Sequence, residues 1–245
     1  MGLLTDFQLD YSFIDDIDSQ VAAIIVAAGA STRMKENKQF IPLLGVPVLA
    51  RSVMAFESCQ LVRDIVIVGQ EEDLADIQKL CDRYEFAKVT ALVAGGETRR
   101  QSVEAGVRSC NPDIRYFAIH DGARPLVTDT EIRSVITRAE ECGAAAVGVR
   151  VKDTVKRVNV EHKIVETPKR EFLYFVQTPQ VFDAEIYKKA MTNAKDCTED
   201  FTDDCSICEY AGFDVFMVEG SYENIKITTL EDIEIAEAIL SRRQA

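Results

Sequence analysis

Six short runs dominated by Val, Ile and Ala recur along the chain, at 21–27, 64–68, 89–93, 115–119, 144–151 and 214–218. Runs of this length without polar alternation are strands buried on both faces, as in a parallel sheet covered by helices. The segments between them, at 48–59, 72–84, 100–110, 129–142, 184–194 and 203–211, carry apolar residues at helical spacing, and 230–241 closes the chain in the same way. Strand and helix alternate, so the sequence predicts an α/β fold built on a doubly wound, mostly parallel sheet.

Residues 152–180 break that rhythm. Thr154-Val155-Lys156-Arg157-Val158 alternates, 159–163 reads as a turn, and Ile164-Val165-Glu166 resumes. This is a hairpin rather than a crossover helix. A two-stranded hairpin is marginal alone in water, so the pattern predicts a protruding arm packed on a second copy of the chain, a homodimer. The domain is expected over 21–243, preceded by a separate extension of 20 residues.

Charge narrows the partners. The 245 residues carry 41 Asp and Glu against 28 Lys and Arg, a net charge of −13. That sign argues against holding nucleic-acid phosphates through a broad basic surface. Five Asp and no Lys or Arg fall within residues 1–20, and without them the remainder still stands at −8. Any anionic ligand must be met by a local set of cations. The longest early apolar run, 21–28, is far short of the roughly 20 residues of a membrane span, and no basic segment precedes it as in a signal peptide. Seven cysteines, an odd number scattered through apolar stretches, fit a reducing cytoplasm. Cys205 and Cys208 have CxxC spacing but no second pair or nearby His to complete a zinc site, and they read as helix-core residues.

Three loops at successive strand ends carry ligand-type residues. The first, Ala27-Ala28-Gly29-Ala30-Ser31-Thr32-Arg33-Met34, is followed by Lys38. Small residues there let backbone N–H groups approach a phosphate chain at the carboxyl edge of the sheet, and Arg33 and Lys38 add charge. It is neither a GxGxxG nor a GxxxxGK[ST] loop, which disfavours a nicotinamide oxidoreductase and a P-loop triphosphatase. The second is Gly95-Gly96-Glu97-Thr98-Arg99-Arg100-Gln101-Ser102, a sharp turn opening a helix. The third is His120-Asp121-Gly122-Ala123-Arg124-Pro125, in which His120 reads as a packed residue rather than a base.

These loops, together with Val151-Lys152-Asp153-Thr154-Val155-Lys156, Thr178-Pro179-Gln180, Thr202-Asp203-Asp204, Val218-Glu219-Gly220 and Asn224-Ile225-Lys226, resemble the 2-C-methyl-D-erythritol 4-phosphate cytidylyltransferases of the non-mevalonate isoprenoid pathway. The resemblance covers 21–243 in family order. It implies a nucleotide-diphospho-sugar transferase-like fold, an arm-linked homodimer, and the joining of CTP to a polyol phosphate with release of pyrophosphate. It also implies Mg²⁺ or another divalent cation bound mainly through the CTP phosphates. By the same resemblance Ala27, Ala28, Gly29, Gly96, Glu97, Arg99, Ser102, Asp121 and Gly122 surround the nucleotide. Arg33 and Lys38 stabilise the charged transition state, Arg170 and Lys226 position the attacking phosphate, and Asp121, Arg124, Thr154 and Arg170 hold the polyol phosphate. Two positions depart from the family's habit: Ser31 stands where many relatives have Gly, and Asn37 where many have Pro.

The chemistry suits such a site. A phosphate monoester has a second pKa of about 6, so the nucleophile is already largely dianionic and no general base is needed. The protein must align two anions and offset their repulsion. A sister activity on ribitol 5-phosphate, and a non-catalytic nucleotide-binding scaffold, remain as alternative readings. The five acids in 196–204 read as a solvated loop and helix cap.

Overall fold

The computed structural model describes residues 20–29, 37–197 and 201–244. In chain order the elements are β1 (Val21–Val26), the small hairpin β2 (Pro42–Leu43) and β3 (Val46–Pro47), α1 (Val48–Ser58), β4 (Val62–Gly69) and α2 (Leu74–Tyr84). Then come β5 (Val89–Ala94), α3 (Arg99–Arg108), β6 (Tyr116–Asp121), α4 (Asp129–Cys142) and β7 (Ala144–Arg150). A second hairpin, β8 (Arg157–Val158) with β9 (Ile164–Glu166), precedes β10 (Tyr174–Asp183), α5 (Ala184–Asn193), α6 (Asp204–Tyr210), β11 (Phe216–Glu219) and α7 (Leu230–Gln244).

Seven strands form one sheet in the order β11-β7-β10-β6-β1-β4-β5. Pairs β11·β7, β6·β1, β1·β4 and β4·β5 are parallel, and β10 alone runs antiparallel between β7 and β6. The doubly wound, mostly parallel sheet expected from the sequence is present. Alternate side chains of β1 serve opposite layers, as period-two geometry requires. Ala23 and Ile25 pack with α1, α2 and α4 through Leu49, Phe56, Ile77 and Ile136. Ala22 and Ile24 pack with α3, α5 and α6 through Val103, Tyr187 and Ile207. Helix α7 lies apart from both layers, closing over β2 and β3 through Leu43, Ile227, Ala236 and Leu240.

The hairpin forms where the alternation placed it, with the Asn159 N–H donating to the Lys163 carbonyl across the turn. The arm, however, does not extend to residue 180. Residues from Tyr174 onward form β10, a central strand whose Tyr174–Val176 and Gln180–Phe182 segments both pair with β7. Pro179 argued against a central strand, since it cannot donate to the ladder. The structure accommodates it by shifting register between Val176 and Gln180, so that Pro179 falls in the irregular stretch where no ladder bond is needed. Cys205 and Cys208 are buried in the α6 core, as free thiols.

Candidate active site

Strands β1, β5 and β6 end at the same edge of the sheet, and backbone bonds lock their outgoing loops together. The Ala27 N–H donates to the Val68 carbonyl at 2.7 Å, the Gly95 N–H to Gly69 at 2.8 Å, and the Gly122 N–H to Val26 at 2.8 Å. Gly95 is required by this closeness: a Cβ there would lie 2.4 Å from the Ala28 Cβ and 2.7 Å from the Ser102 Oγ. Above the edge is a cavity of about 250 Å³ whose wall includes Ala28, Gly29, Lys38, Gly96, Glu97, Arg99, Ser102, Asp121 and Lys226. Residues drawn from five separate stretches of sequence thus meet in one place.

Asp121, at the last position of β6, organises the charge. Its carboxylate lies 3.0 Å from Lys226 Nζ, 3.3 Å from Arg124 Nε and 3.9 Å from Arg99 Nε. Burial alone would raise its pKa, but Lys226, Arg99 and Arg124 outweigh burial and hold the carboxyl well below the usual carboxylate range. Arg99 is anchored from behind: its Nη1 sits 2.6 Å from the buried Asp204 carboxylate, which also accepts the Tyr187 hydroxyl at 2.6 Å. Asp204 therefore departs from the solvated reading of the 196–204 acids, because α6 carries it into the core. Asp203 does cap that helix, accepting from the Ser206 N–H. Glu199 and Asp200 lie outside the described residues.

Lys226 is positioned by the 221–227 segment. Asn224 Nδ2 donates to the Thr178 carbonyl at 3.0 Å, Arg124 Nη1 to the Asn224 carbonyl at 2.8 Å, and the Ile227 N–H to the Ala123 carbonyl at 2.8 Å. Lys38 is held in a turn in which the Leu49 N–H donates to the Gln39 carbonyl and Gln39 Nε2 reaches the Ala27 carbonyl. Asn37 fixes the start of that turn. Its Nδ2 donates to Asp73 Oδ2 at 2.6 Å and its Oδ1 accepts the Gln39 N–H at 3.2 Å.

Six of the expected site residues take a different place in detail. The Ser102 hydroxyl is turned toward its own loop, accepting the Gly96 N–H at 3.1 Å and donating to the Thr98 carbonyl at 3.0 Å, so it shapes the Gly-Gly turn. Ala27 and Gly122 stand behind the cavity wall, and Arg124 reaches Asp121 and Asn224. Arg170 and Thr154 do not line this cavity: Arg170 borders a separate cleft with Lys152 and Lys169, and Thr154 is exposed on the arm. Arg33 and Ser31 lie outside the described residues.

The sequence reading assigned no role to Gln39, Thr178 or Asn224, although Thr178 and Asn224 stood inside quoted motifs and Gln39 follows Lys38 directly. His120, read as packed, is fully buried against Phe56. Thr178 Oγ1 accepts the Asp121 N–H at 3.0 Å and, in the neutral ring, gives its own proton to His120 Nδ1, also at 3.0 Å. His120 Nε2 then carries the proton that meets the Arg124 carbonyl at 3.1 Å. Every polar atom of the ring is used by the neutral form, and burial pushes its pKa down to about 4.

A cation-lined cavity at the carboxyl edge of a doubly wound sheet, walled by small residues of the first loop and a Gly-Gly turn, is the kind of crevice in which α/β proteins bind phosphate-bearing nucleotides, and the family match below makes this one a nucleotidyltransferase. Comparison with known proteins gives the particular one. The profile of the 2-C-methyl-D-erythritol 4-phosphate cytidylyltransferases matches residues 21–242, and the chain belongs to this family. A relative of that description from Halalkalibacterium halodurans is 43% identical over 227 residues, spanning 92% of this chain and 99% of the relative. Another, from Desulforamulus reducens, is 44% identical over 226 residues, 91% and 97% of the two chains. The crystal structure of the 4-diphosphocytidyl-2C-methyl-D-erythritol synthase from Anaerococcus prevotii superposes with a TM-score of 0.82 at 28% identity, covering 90% of this chain and 98% of that one.

Proposed function

We propose that the chain joins CTP to 2-C-methyl-D-erythritol 4-phosphate, giving 4-diphosphocytidyl-2-C-methyl-D-erythritol and pyrophosphate, in non-mevalonate isoprenoid synthesis. The observation that carries this reading is the convergence of Lys38, Arg99 and Lys226 around Asp121 in one cavity of a chain whose net charge is −13. An oxygen of the methylerythritol phosphate attacks the α-phosphorus of CTP as the bond to pyrophosphate breaks. Lys38, with Arg33, offsets the charge gathering on the α-phosphate and the leaving group. Lys226 and Arg170 hold the incoming phosphate against the repulsion of the nucleotide. Asp121 keeps Lys226 and Arg99 aimed at the cavity, and the Gly95-Gly96 turn leaves room for a pyrimidine.

A divalent cation, Mg²⁺ by chemistry, fits this donor set as an ion carried on the triphosphate. Magnesium commonly uses one or two carboxylates plus substrate phosphates, and Asp121 and Glu97 are the two carboxylates of the cavity wall. It would add Lewis-acid neutralisation of the phosphates.

The active form is proposed to be a homodimer. Val160 at the hairpin turn is 97% exposed and Phe172 75%, and Ile164, Val165 and Phe175 are exposed beside them, an apolar ribbon suited to a second copy. Arg170 and Thr154, remote from their own cavity wall, then complete the partner's polyol site. The seven free thiols support a reducing, cytoplasmic setting, and no helix among the described residues is long and apolar enough to cross a membrane.

The test is pyrophosphate release from CTP and Mg²⁺ with a panel of acceptors, paired with gel filtration. Turnover on methylerythritol phosphate by a dimer is expected. Turnover on ribitol 5-phosphate alone would assign the sister activity, and CTP binding without any turnover would assign a scaffold.

A further inference from the structure

A second concentration of positive charge lies away from the catalytic cavity. Helices α3 and α5 lie side by side on one face of the sheet, and a groove of about 520 Å³ runs between them. Val107 and Met191 contribute its apolar lining, and Arg100, Arg108, Lys188 and Lys195 contribute four cations against the single acid Glu104. Glu104 pairs with Arg108 at 2.7 Å, Lys188 meets Glu185 at 3.4 Å, and Lys195 has no carboxylate partner among the described residues. On a chain with 41 acids and 28 bases, such a local excess of cations around apolar side chains calls for an acidic, partly apolar occupant.

The chain carries one. Residues 1–19 hold Asp6, Asp10, Asp15, Asp16 and Asp18, no Lys or Arg, and interleaved Phe7, Leu9, Phe13, Ile14 and Ile17. They precede the family match, which begins at residue 21, so the catalytic assignment leaves them without a role. Their point of departure is suitable. The Gln20 carbonyl accepts the Arg115 and Tyr116 N–H groups, and the Arg115 carbonyl in turn accepts the N–H of Ala184, the first residue of α5. The middle of α5 carries Lys188, one turn beyond that first residue, and the end of α3 carries Arg108. At the far end of the groove, Arg100 Nη1 donates to the Ala194 carbonyl at 2.8 Å. Residue 20 therefore sits at the Arg108 and Lys188 end. Ten-residue helices are about 15 Å long, a distance that about five extended residues cover, so a segment of this length reaches the whole groove.

We propose that residues 1–19 dock in cis into the groove between α3 and α5, with their Asp carboxylates against Arg100, Arg108, Lys188 and Lys195 and their apolar side chains against Val107 and Met191. The docked segment lies along the helix whose first turn carries Arg99 into the nucleotide cavity.

Zero-length carbodiimide crosslinking of the full chain, read by mass spectrometry on a mixture of isotopically light and heavy protein, tests this. Crosslinks from Asp10 to Asp18 onto Lys188 and Lys195 are expected, within chains of one isotope, and are expected to vanish in 1 M salt, where the screening length falls to about 3 Å. Crosslinks joining light to heavy chains would overturn docking in cis and assign the segment to a second copy. Absence of these crosslinks, with inorganic diphosphate protecting both lysines from acetylation, would overturn the proposal in favour of a small anion. In the double variant Lys188→Glu, Lys195→Glu, both positions being exposed, chymotryptic cleavage after Phe13 should accelerate about tenfold. Equal cleavage rates in variant and wild type would also overturn it.

Discussion

The carboxyl-edge cavity and the hairpin arm both present Arg and Lys, but they hold them in opposite ways. At the cavity, three cations are tied to buried groups: Arg99 to Asp204, Lys226 and Arg124 to Asp121, and Asp121 through Thr178 to His120. On the arm the cations are solvated and their partners are exposed, as in the pair of Arg157 with Glu166. One chain preassembles the nucleotide side of the site, where misplaced charge would be most costly to the transition state. It leaves Arg170 and Thr154 on an element whose apolar residues Val160, Ile164, Val165 and Phe172 are exposed. Under the proposed assignment, nucleotide binding is a property of the protomer and acceptor binding a property of the dimer.

The largest effect should come from Lys38→Ala. Removal of one charge-stabilising group from a preorganised site commonly lowers kcat about 10²- to 10³-fold. Pyrophosphate release should fall by that order while circular dichroism and gel filtration stay as in wild type. Activity within a few-fold of wild type would remove Lys38 from the mechanism and erase the difference between the two regions.

Mixing subunits sharpens the comparison next. Lys38→Ala and Arg170→Ala homodimers should each be nearly inactive, because each lacks one half of every site. If Arg170 acts across the dimer, a heterodimer holds one site with both residues intact, and equal mixing should restore about a quarter of wild-type turnover. A mixture no more active than its components would place Arg170 in its own subunit's site.

A third effect is on stability and separates the buried network from the arm by pH. His120 titrates near 6.5 when unfolded and about 4 when folded. Between those values the unfolded state binds the extra proton, so stability is full above about pH 6.5 and is lost as the pH falls toward 4. A shift of that size corresponds to about 3 kcal/mol. Asp121, whose folded pKa is depressed, adds a further loss as the pH falls below about 4, its unfolded value. Urea unfolding midpoints should therefore fall steadily from pH 6.5 to 4 in wild type, and His120→Gln should flatten that interval. An unchanged slope in the variant would detach His120 from the acid sensitivity.

The same distinction explains what the sequence could disclose. The order of strands and helices was legible because buried parallel strands and amphipathic helices have their own periods, and six strands and seven helices stand close to where those periods put them. Strand β10 was hidden by Pro179 and by polar Gln177, Thr178 and Gln180. These residues break a strand pattern because they bond to neighbouring loops: Gln177 Nε2 donates to the Ser221 carbonyl at 2.8 Å, Thr178 Oγ1 accepts the Asp121 N–H at 3.0 Å, and Gln180 Nε2 donates to the α6 cap Asp203 at 2.9 Å. Functional demand erased the local signal at that point. The cavity residues were legible through their motifs, but the anchoring of Arg99 by Asp204 was not. Nothing in a run of acids distinguishes the one that a helix carries inward.

The smallest effect should be at the exposed end of the contrast. Arg157 and Glu166 form their ion pair at 2.7 Å with side chains 66% and 51% exposed. Water and salt screen such a pair, and holding two long side chains in one geometry offsets most of the attraction. Glu166→Gln should move the melting temperature by no more than about 1 °C and leave KM for CTP unchanged. Thermal melts of the variant and wild type at low and high salt measure this directly. A shift of several degrees that salt abolishes would mean that the pair is shielded from water in the native protein. The described residues of one chain leave it open, so such a shift would point to coverage by a second copy, and its size would report how deeply the arm is clasped in the dimer.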